Sequence, residues 1–474
     1  VYTDKHKGGF WGVSCGRDLL RDLAIKHGVE KNNKNIPTIR LIAHNSSYDF
    51  RFLINYLYGI KSIEKGKSLV VANALFSYEG FNIKVEIKDS LKMINMALNK
   101  FGKTFNLPEE KEIMPYDLYS EQNIEKQFIS EDICVSFIKN SDVKKQYSDR
   151  KLFLDNCLKI DCIDSDGLID ILKYAGWYCY KDCVVLKLGY EKFNSFVYDA
   201  TGQDINDYLT LASMSHDYLI IKGCYEGVLQ LSGVPRAFIQ KCVVGGRTMC
   251  ANNEKSRRNI DYADYDATSL YPASMVRMNG FLTGKPHVIK NFEPEKYDGY
   301  FIRIKITELN KKRNFPLSSF MSETGVRMFS NDMVGREIYI DKIALEDLVE
   351  FQGVKYEFIQ GYYYDEGRNE TINEVMKFLF LQRKKYKDVG NPIQMVFKEL
   401  MNSSYGKSAL KPIDDDIVYK SEEELDAYVD KHYDLVKEYT QIANTKFFKI
   451  KIDKAVNIHF NNVHVGVEIL SMSK

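Results

Sequence analysis

The sequence predicts a multidomain chain, α/β in its first part and α+β in the remainder. Three observations predict it. The first 190 or so residues alternate short β-rich runs with helical stretches, the pattern of strands covered by helices. Residues 298–308 (DGYFIRIKITE) then alternate as a half-buried strand should, ahead of helical patterns at 369–387 and 392–408. The 474 residues are 45% apolar and 28% charged, ordinary globular composition at a length suited to roughly two to four domains.

Taken in order, Thr38–His44 (TIRLIAH) is apolar and short enough for a buried strand. It feeds a helix in which Phe50, Leu53, Ile54 and Leu57 recur at i, i+3, i+4 and i+7, giving one apolar face. A longer helix is predicted over roughly 165–193, with Gly176 and its aromatic neighbours weakening the middle. Residues 191–240, rich in Lys, Asn and Tyr, mix helices and turns. Residues 262–270 are predicted as a strand that ends in a turn at Pro272. Gly390-Asn391-Pro392 separates the two later helices. Residues 414–430 hold eight acids and one lysine, which predicts a solvated insertion rather than core. No solenoid repeat and no low-complexity tract is visible.

The 66 Lys+Arg and 65 Asp+Glu leave a net charge of +1. That argues against a uniformly cationic nucleic-acid coat, but not against a localised charged groove. Without residues 414–430, at −7, the remainder carries +8. No run of about 18 apolar residues exists, so no membrane partner is expected. The nine cysteines form no C-x-x-C pair, and a reduced intracellular protein without a zinc knuckle or disulfide framework is expected.

Two stretches carry chemistry. In a helix from Pro392, Lys398, Asn402 and Tyr405 share a face where a core helix would be apolar, and Gly406 admits something bulky. The preceding helix ends in Arg383, Lys384, Lys385 and Lys387. Two antiparallel helices with basic groups on facing sides suit a triphosphate, whose charge must be neutralised and oriented; a solvated lysine-rich helix end is the plainer alternative. In DYADYDATSLYPASM, Asp266 stands at the end of the predicted strand, followed by Ser269, Leu270, Tyr271 and Pro272. Metal-dependent phosphoryl transfer needs carboxylates at such a strand end, holding two Mg²⁺ about 3.5–4 Å apart. Asp261 and Asp264 fit that pattern less well.

Asp266-Ala-Thr-Ser-Leu-Tyr-Pro272 resembles motif A of family B DNA polymerases, and Lys398-Glu-Leu-Met-Asn-Ser-Ser-Tyr-Gly406 resembles motif B, in the family's order. The resemblance implies a palm carrying Asp266 and a two-helix fingers subdomain carrying Lys398. Asp266 would bind metal, and Tyr271, next to Leu270, would exclude a ribose 2′-OH. Lys398 and a base among Arg383, Lys385 and Lys387 would hold the incoming dNTP. Tyr405 would pack at the nascent pair, with Asn402, Gly406 and Lys407 beside the DNA.

The family commonly carries a ribonuclease-H-like 3′–5′ exonuclease domain before the palm. AHNSSYDFRFL, with Asn45 and Asp49 four apart and His44 and Tyr48 alongside, resembles its second motif. YCYKDCVVL, with Tyr178 and Asp182 four apart, resembles its third. Y-x-x-x-D alone is weak in a chain with 32 tyrosines; the pairing upstream of motif A strengthens it. Asp49 and Asp182 would supply metal-binding carboxylates and Tyr178 would orient water. Lys88-Asp89-Ser90-Leu91 resembles the element that holds a single-stranded 3′ end through Ser90 and Leu91, and Lys111-Glu-Ile-Met114 resembles the element whose lysine assists the centre. A helix cap at Ser90 and a solvated charge at Lys111 are the plainer readings.

Within the family, Val243-Val244-Gly245-Gly246 resembles the Y-x-G-G linker of the protein-primed branch, with Val243 in place of tyrosine; its glycines would let backbone approach the template. That branch serves viral, linear-plasmid and mitochondrial-plasmid replicons. The expected domains are an exonuclease at 1–190, a connecting region at 191–257, palm at 258–280, a palm insertion facing a terminal protein at 281–365, fingers at 366–410, and an acidic insertion returning to palm at 411–474. Template and primer DNA, Mg²⁺ and dNTPs are the implied partners. No D-x-E precedes Asn45 and no D-T-D follows Gly466. We therefore expect a piece of a longer polymerase that extends and degrades DNA poorly by itself. A non-catalytic nucleic-acid-binding remnant and a nucleic-acid-primed polymerase are the competing readings.

Overall fold

The structure, a computed structural model, describes residues 8–66, 68–255, 257, 261, 263–408, 415–454 and 460–474. It divides into two units. The first comprises the chain to Asp199, Asp204–Leu209 and Asp415–Lys454; the second comprises Ala200–Gln203, Thr210–Asp414 and the chain from Ala455.

The first unit is built on a seven-stranded sheet. Its strands are β1 (Thr38–Ala43), β2 (Tyr58–Lys65), β3 (Ser68–Tyr78), β4 (Phe81–Asp89), β5 (Asp415–Ser421), β6 (Val436–Gln441) and β7 (Phe447–Asp453), in the order β1-β4-β3-β2-β5-β7-β6. Only β1 and β4 are parallel, and their register sets Ala43 beside Asp89. Helix α1 (Ser47–Leu53) leaves β1 through a short turn and continues as a 3₁₀ turn over Ile54–Tyr56. The predicted apolar face of Phe50, Leu53, Ile54 and Leu57 is buried against Ile39, Ile83 and Phe76. Helix α2 (Ile171–Thr201) packs Tyr174 and Tyr178 into a second core with Phe153 and Cys157.

Two expectations change here. The long helix starts at Ile171 because the Asp170 carboxylate accepts the N–H groups of Leu172 (3.1 Å) and Lys173 (3.0 Å), while residues 168–170 form a short strand. Gly176 does not interrupt it; a Cβ there would meet the Trp11 ring at 3.0 Å, so the glycine makes room for packing. Residues 415–431 are also not a featureless solvated loop. Strand β5 pairs with β2 and β7, Tyr419 is buried and donates to Glu64 at 2.6 Å, and Lys449 pairs with the same carboxylate. The acids sit mainly on the following helix, Glu422–Lys431, where three of them face the positive end of the helix dipole in its first turn.

Gly189 of α2 has a different role. A Cβ there would fall 2.3 Å from the ring of Phe101, which is fully buried and stands edge-on to His44. Gly189→Ala gains about 1 kcal/mol of helix propensity but overpacks a closed site at about 1–3 kcal/mol. We expect net destabilisation, read as a lowered urea midpoint at unchanged slope.

The second unit holds a four-stranded antiparallel sheet, in the order Glu337–Asp341, Gly299–Leu309, Val354–Tyr364, His287–Val288. Its core is Ile302, Ile304, Ile306, Leu345 and Leu348, the last two from the helix Lys342–Gln352. Helices α3 (Leu270–Arg277), α4 (Thr371–Asp388), α5 (Gln394–Ser403) and α6 (Val463–Met472) form a helical group, with α3 against α4, α5 and α6. The chain reverses between α4 and α5 at Gly390, φ +66°, and Tyr386 stacks on Phe397 at 5.6 Å. The expected strand at 262–270 is absent among its described residues. Residues 263–267 have no strand partner, and an extended segment without a ladder gains nothing from alternation; residue 262 lies outside the described residues.

Candidate active sites

In the first unit, the parallel ends of β1 and β4 create the site. Beyond Ala43 the chain turns through Asn45, in the left-handed region at φ +66°, and enters α1, which carries Tyr48 and Asp49. Tyr178 and Asp182, four apart, lie on one face of α2. Asp49 and Asp182 line the same cavity of about 740 Å³, together with His44, Leu53 and Tyr190. Lys111 donates to Asp182 Oδ2 at 2.5 Å and stands 5.1 Å over the Tyr178 ring. Tyr178 and Tyr116 share a hydroxyl–hydroxyl bond of 2.9 Å.

Asp182 Oδ1 is buried and has no hydrogen-bond partner, an acceptor left open. The Asp49 carboxyl faces the open cavity, yet the protein atoms crowding it raise its pKa, and the Asp89 charge adds to the effect. Burial first, then the Tyr116 bond and the Asp182 charge, raise the Tyr178 pKa, so its phenol stays protonated. Burial lowers the His44 pKa and keeps the ring neutral. Its Nε2–H donates to Met96 O at 2.9 Å, leaving Nδ1 to face the Ser90 hydroxyl at 3.0 Å. Ser90 is 1% exposed and also reaches Ala43 O at 3.0 Å, so its hydroxyl is engaged within the protein. Leu91 is half-buried and Tyr48 is exposed beside Phe52.

In the second unit, Arg383 from α4 donates to Ser269 Oγ at 2.9 Å, and Ser269 is a non-glycine residue at φ +49°. Tyr271 on α3 stacks on Tyr405 with ring centres 4.0 Å apart. Tyr405 lies in a 3₁₀ turn, Tyr405–Lys407, because α5 ends at Ser403 rather than running on to 408; Lys398 and Asn402 keep their shared face within the helix. Burial, then the bond with Tyr271, pushes the Tyr405 pKa up to about 12. Lys387, Lys398 and Lys407 are exposed, as are Leu270 and Asp266. Gly245 and Gly246 are exposed in irregular chain, and a Cβ on either would meet nothing. Gly406 is half-buried. Among the described residues, no three His, Cys, Asp or Glu side chains cluster to hold a metal.

The sequence profile of the family described as DNA polymerase type B, organellar and viral, matches residues 31–473. The chain belongs to this family. A DNA polymerase of Kluyveromyces lactis is 24% identical over 97% of this chain and 45% of its own length. A probable DNA polymerase of Ascobolus immersus is 22% identical over 79% of this chain and 30% of its own length. This chain therefore spans less than half of either relative. Among solved structures, Phi29 DNA polymerase complexed with primer-template DNA and incoming nucleotide substrates shares the fold at a TM-score of 0.57. That likeness covers 91% of this chain and 67% of the other, at 16% identity.

Membership of the type B polymerases gives the two clusters a common context. The first unit gathers Asn45, Asp49, Lys111, Tyr178 and Asp182, which lie far apart in sequence. The second gathers Ser269, Tyr271, Arg383 and Tyr405. Sequence reasoning passed over Tyr116, Ser269 as the partner of Arg383, and Asp89. Only Asp89 had a legible signal, a carboxylate on the buried face of an alternating strand.

Proposed function

We propose that the chain forms the 3′–5′ exonuclease and the palm and fingers of a DNA-directed DNA polymerase that replicates a viral or linear-plasmid genome by protein priming. The observation that supports it most is that Asp49 and Asp182 line one cavity, with Lys111 bonded to Asp182 and standing over the Tyr178 ring, in a chain of this family. The donors suit Mg²⁺, a hard cation that takes one or two carboxylates and keeps water or phosphate for the rest. Asp49 and Asp182 would hold it in the exonuclease, and Asp266 in the palm. Bound there, it would stabilise charge on the attacking and leaving oxygens. The chain's own part is to orient: Lys111 fixes the Asp182 carboxylate, and the Tyr178 phenol, kept protonated, aims a water. His44, Tyr48, Ser90 and Leu91 would flank a single-stranded 3′ end, and Asn45 would belong to the exonuclease centre.

In the palm and fingers, Arg383, Lys387 and Lys398 would meet the triphosphate of a dNTP. Leu270 and Tyr271 would lie under its sugar and Tyr405 at the nascent base pair. Asn402, Gly406, Lys407, Gly245 and Gly246 would contact template or primer DNA. A terminal protein offering a hydroxyl is the proposed primer, and a reducing intracellular compartment the proposed setting. No helix of the described residues is long and apolar enough to cross a membrane.

One observation favours a second reading, a chain that binds nucleic acid without polymerising it: Asp266 is exposed, with no carboxylate cluster around it among the described residues. Primer extension and 3′ degradation with Mg²⁺ separate the two. On the first reading Asp266→Ala lowers extension by about 10³-fold, several kcal/mol of lost charge stabilisation, and leaves degradation within about twofold. DNA binding with neither activity, in a longer protein that carries this chain, supports the second.

A further inference from the structure

Strand β4 carries Phe81, Ile83, Val85 and Ile87 into the core on alternate positions, and the next position on that face is Asp89, 2% exposed. A buried carboxylate is tolerated only where donors meet it. Among the described residues no lysine or arginine forms an ion pair with Asp89; two backbone N–H groups donate to it, and they converge on one oxygen. Asn45 N–H donates to Oδ1 at 2.8 Å and Leu91 N–H at 3.0 Å, while the buried Oδ2 has no partner.

The two donors belong to two different arms of the cleft. Asn45 is the left-handed residue that turns the chain from β1 into the helix bearing Asp49, a conformation few residue types accept unaided. Leu91 lies in the 3₁₀ turn Ser90–Lys92 that follows β4. The parallel register sets Ala43 beside Asp89, so both turns start from neighbouring strand ends. Only a side chain with an acceptor at this depth satisfies both amides; an apolar residue, which the alternation favours, would orphan them.

We propose that Asp89 is a positioning residue of the exonuclease cleft, its Oδ1 clamping the Asn45 turn to the Ser90–Leu91 turn so that the arm for the DNA 3′ end and the arm carrying Asp49 hold one spacing. The inference rests on the exonuclease reading. Asp89 acts through backbone, and the amide oxygen of an asparagine can accept the same two N–H groups, so geometry rather than charge carries the role.

The test compares Asp89→Ala and Asp89→Asn in the 474-residue chain. One readout is hydrogen exchange over residues 44–48 and 89–93; the other is fluorescence anisotropy with a 5′-labelled single-stranded oligonucleotide in Ca²⁺. In Asp89→Ala, exchange in both segments should quicken by about tenfold, with β3 unchanged, and the oligonucleotide should bind about fivefold more weakly. Asp89→Asn should stay within about twofold of wild type on both readouts. Wild-type exchange in either segment of a folded Asp89→Ala overturns the clamp, as does Asp89→Asn failing as badly as Asp89→Ala. Should Asp89→Ala not fold, Asp89→Asn decides alone. If the wild-type chain binds no single strand, the exonuclease reading falls, and the exchange data still decide the clamp.

Discussion

Asp182→Ala is expected to lower 3′–5′ degradation by on the order of 10³-fold in a DNA-degrading protein that carries this chain, the equivalent of several kcal/mol. The size follows from where the carboxylate stands. Oδ2 takes the Lys111 ammonium at 2.5 Å, and Oδ1 is buried with no partner, so alanine removes an unpaired acceptor on a residue that lines the same cavity as Asp49. It also leaves Lys111 without its counter-charge. Lys111→Ala keeps both oxygens and loses only what orients them, and supporting groups of that kind cost about 10–100-fold. Single-turnover degradation of a 5′-labelled single strand in Mg²⁺ measures both. Rates for Asp182→Ala within tenfold of wild type would remove Asp182 from the centre, and Lys111→Ala exceeding Asp182→Ala would reverse their roles.

The halves of this site were unequally legible in the sequence. Tyr178 with Asp182 is a local spacing that a helix converts into a shared face whatever surrounds it, and Asn45 with Asp49 is a local spacing across the turn that enters α1. Lys111 and Asp182 are 71 residues apart, and only the tertiary fold brings them together. Strand β1 was visible because its run is apolar and ends in a turn, whereas the strand expected at 262–270 needed a partner that no local pattern reveals. The acidic stretch misled for a related reason. Composition reports solvation, but β5 spends Ile417, Val418 and Tyr419 on pairing and packing, and its acids lie on the faces left over. Asp170 and Gly176 were both misjudged at α2, one as part of the helix and one as its weak point. The first is its cap, and the second admits Trp11.

Arg368→Ala should be the most destabilising single change in the second unit, at about 3–5 kcal/mol, because it strands a buried charge. Arg368 and Glu468 are 100 residues apart and pair in fork geometry. Nη2 reaches Glu468 Oε1 at 2.7 Å and Nη1 reaches Oε2 at 3.1 Å, while the same nitrogens donate to Asp298 O at 3.0 Å and Gly280 O at 2.9 Å. The Glu468 side chain is 2% exposed, so water cannot replace the guanidinium. Lysine should not rescue, since one ammonium cannot serve two carboxylate oxygens and two carbonyls in that plane. The pair's net worth is a separate quantity from the cost of breaking it. Replacing both partners with leucine removes the stranded charge and leaves only the two carbonyls short of a donor, at about 1–3 kcal/mol each. The double variant should therefore be less destabilised than the sum of Arg368→Leu and Glu468→Leu, a coupling of at least about 1 kcal/mol by urea denaturation. Additive losses, or an Arg368→Ala cost below 1 kcal/mol, would mean that Glu468 finds water or another donor. Arg368 would then not be the group that fastens α6 to the segment 280–298.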